Sequence, residues 1–329
     1  MTNLSLRFLM VLFGVVVILM AGLAVGSVTI SPDEIWQCVT AECQQPINDI
    51  ILWDLRLPRV LMAFVAGGGL AVAGAMLQNA TNNQLADPYL FGIVSGAGLG
   101  AVIFSVLAQS SDSIGTPISA SIGAIAAIVL VMTVVMKNRL FRPEHIILAG
   151  VAVSFMLAAV LHFVLFVAEP LAANRIIFWL MGSVATASYE SVLIVFVPLL
   201  ICVSVLLLLR HQIDALLLGD VQAETLGVNV NRMRFLLLLI TAIVTAVTVA
   251  FCGGIGFIGL MVPHIVRNFA KGNTGTLVPL SLVVGGCFLV VVDLIARTAM
   301  VGQEMPLGVI TSALGSVFFL LVLKRSRHG

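Results

Sequence analysis

The stretch GDVQAETLGVNVNRMR, residues 219–234, interrupts one of the most apolar parts of the chain. It is preceded by SVLIVFVPLLICVSVLLLLR (191–210) and followed by FLLLLITAIVTAVTVAF (235–251), each close to the length of about 20 residues that a bilayer-spanning helix needs. A polar, helix-forming stretch between two such runs is expected at a membrane surface. We call residues 219–234 the polar segment.

The composition of the whole chain agrees with a membrane setting. Of its 329 residues, 60% are hydrophobic and 9% are charged, whereas a soluble domain carries roughly 25% charged residues. The apolar runs are long and unbroken, which indicates spanning helices and excludes barrel strands. The sequence therefore predicts an all-α, polytopic membrane protein with a single transmembrane domain over residues 1–329. A net charge of +1 gives no indication of a nucleic-acid partner.

Ten spanning helices are predicted from the apolar runs. The run 235–266 is too long for one helix, and the glycines of CGGIG (252–256) divide it. Because arginines flank both of its ends, the positive-inside tendency places both ends in the cytoplasm. The resulting topology leaves 12 of the 16 basic residues and both termini inside. The predicted spans are 8–27, 58–79, 91–109, 118–136, 146–168, 190–210, 234–250, 254–268, 276–296 and 307–323.

The cysteines indicate no metal site. Three of the five lie in apolar runs, where a cysteine usually packs as a small hydrophobic residue. Cys38 and Cys43 share a polar stretch predicted outside the cytoplasm, so both a disulfide and two free thiols are open alternatives. The first apolar run, 8–26, is longer than that of a signal peptide, and we interpret it as a retained span.

Several kinds of catalytic and ion-coupling chemistry are missing from the sequence. No predicted span has an acidic residue near its centre, and His162 is the clearest intramembrane ionisable group. There is no phosphate-binding GxxxxGK[ST] loop, so the chain cannot hydrolyse ATP by itself. The sequence predicts no catalytic residues and no enzyme. A stand-alone channel or an ion-coupled secondary transporter remains the alternative to a subunit driven by a partner.

The polar segment is the strongest indication of such a partner. Its residues DVQAETLGV alternate apolar and polar side chains and are expected to form one or two short helices, which end at Gly227 and again at NVN (229–231). At the cytoplasmic surface they would offer a compact docking element. The alternative is a short interfacial helix that packs only on its own bundle.

Eight motifs, in order along nearly the whole chain, resemble those of the FecCD family, the membrane permeases of bacterial ATP-binding cassette (ABC) importers for iron-siderophores, haem and cobalamin. Two positions differ from the family pattern, since Gln84 stands where the family usually has proline and Gly254 where it often has proline. The motifs are LRLPR (55–59), NNQLADPYLFGI (82–93), LAG (148–150), FWLMGS (178–183), LGDVQAETLGVNV (218–230), GFIGLMVPHIVR (256–267), DLIAR (293–297) and EMPLGVITSALG (304–315).

The resemblance implies the fold of a type II ABC importer permease in the bacterial inner membrane. It implies a second permease subunit, identical or different, two cytoplasmic ATPases that bind ATP and Mg²⁺, and a periplasmic binding protein. No cofactor is expected on this chain itself. The expected cargo is an iron-siderophore, with haem and cobalamin as alternatives.

The resemblance also implies roles for individual residues. The region 214–232 would hold the coupling helices that contact the ATPase. Asn83 and Leu85 would belong to the cytoplasmic gate, next to the loop around 142–145, and Arg56, Arg59 and Arg297 would receive acidic residues of the binding protein. The coupling residues would be Gly219, Asp220, Ala223, Glu224, Leu226, Gly227 and Val228.

Overall fold

The computed structural model describes residues 2–26, 28–40, 43, 45–108, 115–137, 143–270, 273–300 and 302–326. The described residues are helical apart from short connections. A π-helical turn, Ile50–Arg56, leads into α4, and a 3₁₀ turn, Pro88–Phe91, precedes α5. The helices are α1 (Thr2–Ala24), α2 (Pro32–Thr40), α3 (Pro46–Asp49), α4 (Leu57–Thr81), α5 (Ile93–Ala108), α6 (Gly115–Lys137), α7 (Pro143–Val167), α8 (Pro170–Leu180), α9 (Tyr189–Leu208), α10 (Arg210–Leu216), α11 (Asp220–Thr225), α12 (Val230–Cys252), α13 (Ile258–Ala270), α14 (Thr274–Thr298) and α15 (Leu307–Ser326).

Each of the ten predicted spans coincides with one of these helices. Six described helical stretches are long and apolar enough to cross a membrane: Pro46–Thr81, Gly115–Lys137, Pro143–Val167, Tyr189–Leu208, Val230–Cys252 and Thr274–Thr298. Three shorter apolar stretches fall within α1, α5 and α15. The all-helical, multi-pass membrane architecture is therefore confirmed.

The predicted division of the run 235–266 is also confirmed. Helix α12 ends at Cys252, and α13 runs back toward the end where α12 began. Arg234 in α12 and Arg267 in α13 both donate to the last turns of α4, to Ala80 O and Asn79 Oδ1 respectively. Because α13 has 13 residues, it rises about 20 Å and cannot cross a hydrocarbon core of about 30 Å by itself.

Helix α4 is the centre of the bundle, and small residues bring its neighbours close. Nearly every residue of α4 from Ala63 onward is buried. A Cβ atom added to Gly67 would lie 2.3 Å from the carbonyl oxygen of Gly285 in α14, and one on Gly74 would lie 1.8 Å from that of Gly259 in α13. These glycines therefore permit backbone contacts that any larger residue would prevent.

Three breaks in the helices meet in one hydrogen-bonded junction. Ser183 N donates to Cys252 O at 2.9 Å, and Gly308 N donates to Met181 O at 2.9 Å. Gly254 N donates to Leu180 O at 3.2 Å. A proline at position 254 would have no N–H for this bond, so the departure from the family pattern at Gly254 has a local structural role.

The bundle has two ends with contrasting chemistry. We call the end that contains Arg56, Arg59 and Arg297 the arginine end, and the opposite end, which contains the polar segment, the polar end. Helix α1 reaches the arginine end near its last turn, where Gly22 O accepts from Arg297 Nη2. The two cysteines of the α2 region, Cys38 and Cys43, form a disulfide.

Candidate functional site

The first part of the polar segment, residues 219–227, forms a short helix between two glycines. Gly219 precedes α11 with φ +100°, and Gly227 follows it with φ +83°, so both occupy backbone conformations that favour glycine. Asn229 then caps α12, because its Oδ1 accepts from Arg232 N at 3.0 Å. The predicted short helix and its end at Gly227 are both confirmed.

The predicted coupling residues divide into an inner and an outer group. Ala223 is fully buried against the bundle, and Gly219 and Val228 are partly buried. The outer group consists of Asp220, Glu224, Leu226 and Gly227, which are exposed.

Three large apolar side chains are exposed at the polar segment and its leading edge. Leu218 is 60% exposed, Val221 is 72% exposed and Leu226 is 64% exposed. We call these three residues the apolar patch. Leu218 and Val221 are not among the coupling residues implied by the family resemblance. The sequence does show that they lie three residues apart, on either side of Gly219.

Two aspartates attach this region to the bundle. Asp220 accepts a two-pronged hydrogen bond from Arg234, with Nη2–Oδ1 and Nη1–Oδ2 distances of 2.7 and 2.9 Å. Asp214 in α10 accepts from Thr274 N at 2.8 Å and so caps the first turn of α14. The sequence treated Arg234 only as an indicator of topology, and its contact with Asp220 was missed.

The predicted gate residues lie directly after α4. Asn82 ends the helix in the left-handed conformation with φ 46°. Asn83 N donates to Gln78 O at 3.1 Å, and Asn83 Oδ1 accepts from Leu85 N at 2.9 Å, which folds the chain into a tight turn. Leu85 projects outward and is 63% exposed. Of the predicted neighbouring loop, Arg142 lies outside the described residues, and α7 begins at Pro143.

A partly buried carboxyl group follows the turn at Asn83 and Leu85, which we call the gate turn. Asp87 Oδ1 accepts from Tyr89 N at 2.8 Å, and burial raises the pKa of Asp87 to about 6 although this hydrogen bond opposes the shift. The Tyr89 hydroxyl donates to Ile255 O and accepts from Ile255 N, both at 2.9 Å. The loop between α4 and α5 is thereby fixed to the break between α12 and α13.

At the arginine end, two acidic residues lie among the three arginines. Arg59 Nε and Nη2 donate to Asp293 Oδ1 at 3.0 and 2.9 Å, and Arg59 Nη1 donates to Glu304 Oε1 at 2.7 Å. Arg297 Nη2 lies 3.3 Å from Asp293 Oδ2. Asp293 is fully buried, whereas the Glu304 side chain is 46% exposed.

Arg56 is held by backbone carbonyls instead of carboxylates. It donates to the carbonyl oxygens of Leu23 and Ala24, the last two residues of α1, and to that of Val28, which follows the helix. Arg56 and Arg297 are both buried. The structure therefore brings the three predicted docking arginines to one end of the bundle, but gives each of them partners within the chain that the sequence did not reveal.

The described residues contain no group of three or more His, Cys, Asp or Glu side chains arranged to hold a metal ion. His162 lies on the exposed face of α7 in the single chain. The distinctive chemistry of the described chain is thus concentrated at the arginine end, at the polar end and in the gate turn.

Proteins of similar sequence are known permease proteins of import and transport systems. The vitamin B12 import system permease protein BtuC of Vibrio cholerae is 37% identical over 307 residues, which cover 92% of this chain and 89% of that protein. The hemin transport system permease protein HmuU of Yersinia pestis is 34% identical, with 99% of this chain and 97% of that protein covered.

The three-dimensional likeness is equally extensive. A solved inward-facing conformation of a metal-chelate type ABC transporter matches with a TM-score of 0.86 and 28% identity, over 98% of this chain and 99% of that chain. A model of the FecCD transport family matches residues 14–325. With its helices, its motifs and nearly its whole length accounted for, the chain belongs to the FecCD transport family.

Proposed function

We propose that this chain is the membrane-spanning permease subunit of an ABC importer that carries a metal chelate across the bacterial inner membrane. The observation that carries the proposal is the construction of the polar segment. It exposes the apolar patch to the surroundings, and the same segment is attached to α4 through Arg234. A soluble motor that binds the patch could therefore act on the buried bundle.

The partners follow from this role. Two ATPases, which bind ATP and Mg²⁺, would contact the polar end, and a periplasmic binding protein would contact the arginine end. A second permease subunit, a copy of this chain or a different one, would complete the pathway. Both termini and the polar segment would then be cytoplasmic, which agrees with the positive-inside tendency.

We infer an iron-siderophore as the cargo, with haem and cobalamin as the competing candidates. The relatives named for vitamin B12 and hemin support the chelate class without choosing within it. The chain should be assembled with its ATPase and binding protein in proteoliposomes. A ferric siderophore, haemin and cyanocobalamin should then be offered separately. ATP-dependent uptake of the ferric siderophore supports the inferred cargo. Uptake of haemin or cyanocobalamin instead supports the importer but contradicts the cargo, and uptake of none, with an intact complex, contradicts both.

The orientation can be tested independently with a thiol label. A cysteine introduced in place of the exposed Asn229 should resist a membrane-impermeant reagent in intact cells and react after the membrane is opened. Reaction in intact cells would contradict the cytoplasmic position of the polar segment, and with it the coupling role.

The alternative, a channel or ion-coupled carrier that works alone, receives less support. Within the long helices that the structure describes, the buried carboxylate is Asp293, and it is already paired with Arg59 and Arg297. A carboxylate that binds and releases a coupling ion needs to be accessible along a pathway. Uptake that persists without the ATPase would favour this alternative.

A further inference from the structure

The guanidinium group of Arg234 joins three parts of the polar end. It lies near the start of α12, where the residue is 6% exposed. Its two terminal nitrogens donate to both carboxylate oxygens of Asp220, and its Nε donates to Ala80 O at 3.0 Å. The fixed planar shape of the guanidinium allows all three bonds at once.

The acceptor on α4 lies immediately before the gate turn. Ala80 is the second-last residue of α4, so its carbonyl is among the last four of the helix, which have no partner within the helix. Asn83, three residues later, forms the turn that carries Leu85. A displacement of Ala80 O would therefore act on the gate turn through one short stretch of backbone.

The acceptor on the polar segment belongs to a helix that has few other attachments. Helix α11 has six residues and lies between Gly219 and Gly227, both at positive φ. Among its residues, Ala223 is the one that is buried. Within the described residues, the two hydrogen bonds between Asp220 and Arg234 are the side-chain hydrogen bonds that join α11 to another helix.

We propose that Arg234 is a positioning residue that transmits movement of α11 to the end of α4 and so to the gate turn at Asn83 and Leu85. This inference rests on the proposed function. The attachment of Asp214 to the start of α14 holds α10 in place, so it offers a fixed point beside which α11 can move. The Asp220 carboxylate is 51% exposed, which makes its end of the bridge accessible to a bound partner.

The test uses the full complex with ATPase and binding protein in proteoliposomes. Arg234→Lys keeps the positive charge but cannot bond both Asp220 oxygens and Ala80 O together. The matched control is Arg232→Lys, an exposed arginine two residues earlier on the same helix. The first measurement is chelate uptake per ATP hydrolysed, with a ferric siderophore, haemin and cyanocobalamin offered separately. We expect Arg234→Lys to lower this ratio by about tenfold, because bonds to a charged group are lost, and Arg232→Lys to leave it unchanged.

The second measurement follows the gate directly. A cysteine in place of the exposed Gln84, with Cys202, Cys252 and Cys287 replaced by alanine, reports thiol reactivity with and without a non-hydrolysable ATP analogue. We expect the nucleotide to change the reactivity in the otherwise unaltered complex and to have a reduced effect with Arg234→Lys. Asp220→Asn should act in the same direction, and the double variant should be no worse than Arg234→Lys alone.

Four results would contradict the inference, and the last of them would contradict the proposed function as well. A purely structural role for Arg234 would lower the melting temperature while both the uptake ratio and the nucleotide response stay normal, and that result overturns the inference. Additive effects of Asp220→Asn and Arg234→Lys overturn it as well. Equal effects of Arg234→Lys and Arg232→Lys do the same. If the wild-type complex transports none of the three chelates, both the proposed function and this inference fail.

Discussion

The two ends of the molecule both join an arginine to an aspartate, but they bury the charges differently. At the arginine end, Asp293 is fully buried and is shared by Arg59 and Arg297. At the polar end, Asp220 is half exposed and has Arg234 as its partner. Removing one member of a buried ion pair strongly destabilises the protein. Separating an exposed carboxylate from its partner costs less free energy, because water can solvate the carboxylate. The arginine end is therefore built to stay fixed, and the polar end can rearrange.

One helix connects these two environments. Arg59 lies in the first turn of α4 and Ala80 lies in its last turn, and the 25 residues of the helix span about 37 Å. Between them, α4 packs on α14 through contacts such as Gly67 against Gly285. Because such packing leaves little room to deform, the middle of α4 is expected to stay on α14 while the last turn of α4 and the turn after it adjust.

The largest expected effect comes from removing the buried carboxylate. Asp293→Ala would leave Arg59 and Arg297 without their shared partner, in a site that excludes water. Loss of one member of a buried ion pair costs about 3 to 5 kcal/mol. We expect a strongly reduced yield of folded protein and a melting temperature lower by about 10 °C or more in detergent.

The matched control is Glu304→Gln, which removes the exposed carboxylate from the same Arg59. It should change the melting temperature by far less, because exposed ion pairs contribute about 0 to 1 kcal/mol. If both variants melted at the same temperature, the contrast between buried and exposed partners would be wrong.

A second large effect is expected at the apolar patch. Leu226→Asp places a carboxylate where we propose that the ATPase excludes water, and an uncompensated charge there costs several kcal/mol. Copurification of the ATPase should fall by at least about tenfold, while the binding protein still docks at the other end. Asn231→Asp adds the same charge at an exposed polar position and serves as the control. Normal ATPase binding by Leu226→Asp would reduce α11 to a surface helix.

The sequence was sufficient to predict the helices but not the side-chain partners. The α12–α13 hairpin could be predicted because glycines break the run and arginines flank it, and both features are local. The pair of Arg59 and Asp293 joins residues 234 positions apart, and no local pattern indicates such a contact. The resemblance implies a docking role for Arg56, Arg59 and Arg297, but it does not indicate their contacts within the chain. Burial of Arg56 and Arg297 depends on how α1 covers them, which composition does not encode.

The polar segment shows the same limit on a smaller scale. Gly219 and Gly227 indicate the bounds of α11 because positive φ favours glycine, so the sequence could predict the short helix. Which side of a six-residue helix faces the bundle depends on its neighbours. Ala223 was therefore included among the partner-contacting residues, although it packs inward, and Leu218 was left out.

A smaller effect, on capture of the binding protein, would test the proposed docking role of the arginine end. Glu304 is the exposed acidic group on Arg59, so it occupies the place that an acidic residue of a binding protein would take. Glu304→Gln should strengthen capture of the loaded binding protein by about threefold at low salt, and by less at high salt. This variant is preferable to reversal of Arg59, which would also disturb the buried Asp293.

Capture is measured by equilibrium binding of the binding protein to the complex in nanodiscs at two salt concentrations. Glu190→Gln, at an exposed acidic position in the first turn of α9, controls for the general change in charge. Weaker capture by Glu304→Gln would show that the carboxylate itself contacts the partner. In that case the proposed docking by Arg59 would have to be abandoned.

The smallest effect concerns a carboxyl group that, unlike those at the two ends, forms no ion pair with any described residue. Because the pKa of Asp87 is raised to about 6 in the folded protein, the protonated form is favoured by folding. The resulting stabilisation is present below the ordinary pKa of about 4 and is lost as the pH rises through about 6. Asp87→Asn keeps an oxygen for Tyr89 N and never ionises. We expect it to melt about 3 °C above the wild type at pH 7.5, with a smaller difference at pH 5. Thermal melts of both proteins in the same detergent measure this difference, and a difference independent of pH would show that Asp87 is not the titrating group.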